Sequence, residues 1–141
     1  MEKNQKKQNI KAAAIFVVTF IAAFLATHFI FSPSVDKKLA QTASEMNKTL
    51  PMNIDRFTRL DNVVSLPGKV FQYNYTILEN TKAEVNLDTA KKYIVPPLLN
   101  NVKSSPDMKP LRDEDVIFNY NYRDKNGVFV VKYSFTPDMY K

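Results

Sequence analysis

At 141 residues the chain has room for one ordinary domain. Its averages, 45% hydrophobic residues, a mean hydropathy of −0.30 and a formal net charge of +6, are those of a small basic globular protein. The absence of cysteine excludes a disulfide scaffold, a thiol nucleophile and a cysteine-ligated metal centre. The single histidine, His28, leaves little for a histidine-based metal site or a Ser-His-Asp triad. No cofactor is expected, and binding is favoured over catalysis.

Residues 1–11 form a basic tail, with Lys3, Lys6, Lys7 and Lys11 against Glu2. From Ala12 to Phe31 only Thr19, Thr27 and His28 are not apolar, and the run holds no Pro, Gly or formal charge. A helix of that length covers about 30 Å, the thickness of bilayer hydrocarbon, so residues 12–31 are predicted to be a transmembrane helix. The run is longer than a signal-peptide core, and Phe31-Ser32-Pro33-Ser34-Val35-Asp36 offers no small-x-small cleavage site, which favours an uncleaved signal anchor. The positive-inside bias of the tail then puts the N-terminus in the cytoplasm and the rest outside, in the periplasm of a bacterial inner membrane. Along the span, Thr19, Ala23 and Thr27 make a small-x-x-x-small row that could support helix self-association. The net charge divides evenly, +3 on the tail and +3 on residues 33–141. The outer part is thus nearly balanced, and no nucleic-acid partner is expected.

After a linker at 32–35, residues 36–141 are predicted to form the extracytoplasmic domain. Val35, Leu39, Ala43, Met46 and Leu50 recur at helical spacing up to Pro51, with Ser34 as N-cap. Leu60, Val63 and Val64 indicate a weakly patterned strand before Pro67-Gly68. Strict alternation follows, with Phe71, Tyr73, Tyr75 and Ile77 on one face and Gln72, Asn74 and Thr76 on the other. Residues 87–104 read as a second helix with Leu87, Ala90, Tyr93, Ile94, Leu98 and Val102 as its apolar face. Pro96-Pro97 is expected to kink it or split it in two. Last comes a hairpin: Val116, Phe118, Tyr120 and Tyr122 alternate into Asp124-Lys125-Asn126-Gly127, and Phe129, Val131, Tyr133 and Phe135 alternate out of it.

The predicted fold class is α+β: a four-stranded antiparallel sheet of two hairpins, packed on its aromatic face against two helices in the order α-β-β-α-β-β. Phe71-Gln72-Tyr73-Asn74-Tyr75 and Phe118-Asn119-Tyr120-Asn121-Tyr122 are alike. We read the likeness as a shared aromatic-in, amide-out demand rather than a duplication.

Chemistry is sparse in this chain. Asp113, Glu114 and Asp115 form its one acidic cluster, which with Asn119 and Asn121 would make an oxygen-rich cation site or, with a Lys, a hydrolytic cleft. A solvated loop is the simpler reading, since the ligand spacing of a calcium loop is missing. The outward sheet face, with Gln72, Asn74, Thr76, Asn119, Asn121, Arg123 and Lys132, is rich in amides and free of acids, and is the candidate interaction face. Asn47-Lys48-Thr49 and Asn74-Tyr75-Thr76 match the N-glycosylation acceptor pattern at about chance frequency.

The stretch Glu45-Met46-Asn47-Lys48-Thr49-Leu50-Pro51-Met52-Asn53-Ile54-Asp55, continuing to Thr58-Arg59-Leu60-Asp61 and followed by the strand with Tyr73 and Tyr75, resembles a group of small bacterial envelope proteins. Its members carry one N-terminal hydrophobic segment and have no assigned activity, and the likeness covers most of residues 40–138. Relatives tend to have one cysteine near residues 101–106 and another near residues 135–138. The resemblance therefore implies that the region around Lys103 lies against the residues around Tyr140. The expected function is a membrane-anchored protein-interaction module, an accessory subunit of a bacterial envelope complex. The alternative is a glycan- or peptide-binding module that uses the polar sheet face.

Overall fold

The computed structural model describes residues 34–141. Among these no helix is long and apolar enough to cross a membrane. The span predicted at 12–31, with Thr19, Ala23, Thr27 and His28, lies outside the described residues.

The described chain runs α1 (Val35–Asn47), β1 (Met52–Asn53), β2 (Thr58–Leu66), β3 (Val70–Ile77), α2 (Leu87–Ser104), α3 (Lys109–Asp113), β4 (Ile117–Arg123), β5 (Phe129–Phe135) and α4 (Pro137–Tyr140). The fold is α+β, but the sheet differs from the four-stranded antiparallel one expected from the sequence. It has five strands in the order β1-β2-β3-β4-β5, and β3 runs parallel to β4. The two predicted hairpins are present, β2–β3 and β4–β5, and what the sequence misplaced is their relation. Residues 78–116, including α2, carry the chain back to the end of the sheet where β3 began, and Ile117 N donates to Lys69 O at 2.8 Å. A connection of that length permits parallel pairing, which a tight turn does not.

Parallel pairing sets the two similar segments side by side in register, Phe71 beside Phe118, Tyr73 beside Tyr120 and Tyr75 beside Tyr122. The tyrosine pairs stack with centroids 5.0 Å apart, and Tyr120 also meets Phe135 edge-on at 5.6 Å. These rings, with Leu39, Val63, Val102 and Val116, form one core on the helix-bearing face. Burial keeps the phenols neutral: desolvation raises the pKa of Tyr73, Tyr120 and Tyr122, and that of Tyr75 to about 12.

The weak alternation of β2 has a local cause. Its pairing with β3 slips between Leu60 and Asn62, so Asp61 is an extra residue and Leu60 and Val63, three apart, both turn inward. Beyond the two-residue β1, the side chain of Asn47 takes the place of a neighbouring strand. It accepts from Val63 N and donates to Val63 O, both at 2.8 Å. α1 is thereby tied to β2 by backbone polar groups as well as by the buried Leu39 and Ala43.

α2 is continuous through Pro96-Pro97, so the pair does not split it into two helices. Both prolines face solvent, where the carbonyls they leave without an amide donor can be hydrated. Asn86 caps it, accepting from Thr89 N at 2.9 Å, and Arg112 closes its far end by donating to Val102 O and Ser105 O. α4 packs against α2, Tyr140 donates to Val116 O at 2.7 Å, and the Arg112 charge acts on the Tyr140 phenol. The regions around Lys103 and Tyr140 thus share one corner of the domain, as the resemblance implies.

The β4–β5 turn is built around Asp124, which is only 2% exposed. Its carboxylate accepts from Asn126 N, Val128 N and, across the domain, Lys82 N. Burial pushes its pKa up, but these donors outweigh it and hold the carboxyl below the usual carboxylate range. Gly127 follows with φ +80°, a conformation that favours glycine.

Candidate interaction surfaces

The predicted amide face exists as one surface. Gln72, Asn74 and Thr76 on β3 stand beside Asn119, Asn121 and Arg123 on β4, with Lys132 on β5 opposite Asn121. Its amides bond one another. Asn121 Nδ2 donates to Asn74 Oδ1 at 3.0 Å, Asn74 Nδ2 to Asn62 Oδ1 at 2.8 Å, Gln72 Nε2 to Asn74 Oδ1 at 2.9 Å and Ser134 Oγ to Asn119 Oδ1 at 2.7 Å. Asn119 and Asn121 are each only 7% exposed, because flanking strands crowd a central one. The face is also not free of acids. Asp61, turned by the bulge, accepts from Thr76 Oγ1 and pairs with Arg59 Nε, both at 2.5 Å. Sequence reading missed it because β2 was too weakly patterned for its residues to be assigned to faces. The sequon amides of Asn47 and Asn74 are engaged in the bonds already given.

The acidic cluster is dispersed. Asp113 pairs with Lys109 at 2.6 Å, Glu114 with Lys38 at 3.4 Å and Asp115 with Lys141. The Lys141 hydrogen bond leads the causes that lower the Asp115 pKa. Among the described residues no three His, Cys, Asp or Glu side chains come together to hold a metal ion.

A second surface was not anticipated. Between the first half of α2 and the sheet runs an open apolar groove, made of two hollows of about 310 and 240 Å³ that share Thr58, Ile94 and Tyr122. Ile77, Val130, Val131 and Tyr75 floor it, while Ala90, Pro97 and Leu98 form the helical wall. It exists because α2 presents small residues there, Thr89 and Ala90, and of all its residues only Val102 near its far end is buried. Tyr93 stands at the rim 68% exposed, and Leu87, read from the sequence as a core residue, is 47% exposed. Ile54 and Phe57 continue the apolar rim on the β1–β2 loop. The signal in the sequence was the width of the apolar face of α2, more than the sheet covers. Asp124 steadies the groove mouth by tying Lys82, beside Glu84 and Val85, to the β4–β5 turn.

Residues 34–130 match the family described as Domain of unknown function (DUF8479), and the chain belongs to that family. No curated protein matches it. Three solved structures share the fold. PA3611 of Pseudomonas aeruginosa, a protein inferred to be secreted, is 15% identical with a TM-score of 0.66, covering 76% of this chain and 93% of that one. AspS, a type II secretion system pilotin of Vibrio cholerae, is 10% identical with a TM-score of 0.57, covering 74% and 91%. EpsS, the type II secretion system pilotin of Vibrio vulnificus, is 12% identical with a TM-score of 0.53, covering 76% and 92%.

Proposed function

We propose that this protein is a non-enzymatic interaction module of the bacterial envelope, an accessory subunit that holds an apolar segment of a protein partner in the groove beside α2. The groove is the observation that carries the reading: an open, largely apolar trough with an exposed aromatic residue at its rim fits a partner side chain better than a polar ligand. The likeness to two secretion pilotins supports an accessory role in an envelope complex. In this reading residues 12–31 anchor the protein in the inner membrane, N-terminus inside. Lys69 N donates to Asp36 Oδ1, so the chain enters at the β2–β3 turn, whereas the groove lies at the other end of β2, by Thr58. Nine residues of strand separate the two ends by about 25 Å.

The amide face is the second reading, for glycan or peptide, favoured by the exposed Arg123 and Lys132. The two separate by photocrosslinking in intact cells, with a crosslinking side chain at Tyr93, at Ile54 or at Lys132. Crosslinks from Tyr93 and Ile54 to one envelope protein, lost in Ala90→Arg, are expected. Adducts from Lys132 alone would transfer the site to the amide face. Protection of the C-terminal domain from protease in intact spheroplasts would overturn the topology.

A further inference from the structure

The two edges of the sheet are finished differently. At one edge β1 is two residues long, β2 is bulged at Asp61, and the Asn47 side chain satisfies Val63 N and O where β1 runs out. Each of these devices discourages a further strand. The other edge is β5, seven residues long and about 20 Å in extent. Among the described residues it pairs only with β4, and none from 129 to 135 makes a backbone hydrogen bond beyond that ladder. Its one charged residue is Lys132, exposed in mid-strand on the amide face.

We propose that β5 is a strand-addition site, which takes an extended segment of a partner protein bearing an acidic side chain opposite Lys132 and apolar side chains on the face of Val131 and Tyr133. Charge selects this occupant. A two-fold pairing of two copies centred on Lys132 would set like charges against each other, and the bulge at Val130 confines the alternative centred on Tyr133 to five residues. An acid across from Lys132 turns the edge's charged deterrent into a cross-strand pair, over the stretch from Val131 to Phe135 that the bulge at Val130 leaves regular. This inference rests on the β5 backbone and holds whichever segment fills the groove.

The test uses the full-length chain in detergent micelles and two synthetic nine-residue peptides of alternating Val and Thr, one with Glu and one with Lys replacing the central Thr. Amide hydrogen exchange is followed residue by residue. The Glu peptide is expected to protect amides of β5 and to bind roughly fivefold more tightly than the Lys peptide, with the preference reversed in Lys132→Glu. Pro97→Arg, which puts a charge into the hollow of the groove that β5 does not line, should leave this protection unchanged. Protection absent from β5, equal binding of both peptides, or loss of binding in Pro97→Arg would each overturn the proposal. So would peptide-independent protection of β5 that grows with protein concentration, because the occupant would then be a second copy.

Discussion

Asn47 offers the sharpest test of how this domain is held together. Its amide makes two 2.8 Å bonds to the backbone of Val63, a residue with no exposed surface. Asn47→Ala removes both and leaves an N–H and a C=O at a sheet edge where water enters only in part. Each stranded group costs about 1–3 kcal/mol when fully buried, so partial hydration puts the pair at about 2–3 kcal/mol. In a domain of this size that corresponds to a fall in Tm of about 10 °C. Urea unfolding followed by far-UV circular dichroism, on the full chain in mild detergent, measures it directly. Asn47→Asp sharpens the result. An ionised carboxylate still accepts from Val63 N but faces Val63 O without a proton, so at neutral pH the loss should match or exceed that of Asn47→Ala. Protonation restores the donor, and the gap to the unsubstituted protein should narrow as pH falls below about 4. A loss under about 0.5 kcal/mol in Asn47→Ala would refute the idea that this side chain stands in for a strand.

Three further outcomes are expected. Phe118→Ala empties a fully buried site between β3 and β5 and should cost about 3–5 kcal/mol in the same denaturation assay. Gly127→Ala meets no neighbouring atom but must hold φ +80°, so it should cost about 1 kcal/mol by strain alone, measured as a shift in the urea midpoint. The Tyr75 phenol is raised from 10.0 to about 12 in the folded state, so the unfolded chain ionises first. Its contribution is fully present below pH 10 and is lost as pH rises from 10 toward 12, and absorbance at 295 nm should show tyrosinate appearing together with unfolding. With seven tyrosines and no tryptophan the signal is clean, and reversible ionisation of all seven near pH 10 without unfolding would contradict the packing.

The sequence by itself determined the local elements of this protein. Pro51 and the Val35, Leu39, Ala43 spacing mark α1, the Phe-x-Tyr-x-Tyr alternation marks β3 and β4, and Asn126-Gly127 marks the last turn, because period and turn chemistry act over a few residues. Tertiary structure decided how these elements meet. Whether β3 and β4 run parallel depends on where residues 78–116 return the chain, and alternation alone fits either direction. The Asp61 bulge was illegible because one extra residue blurs the very period used to read a strand, and with it went the acid on the amide face. The groove was hidden for a related reason. Ala90 and Ile94 look like core on a helical wheel, and only the distance between α2 and the sheet shows that the space beside them is open. Periodicity tells which way a side chain faces, and packing alone tells whether anything is there to meet it.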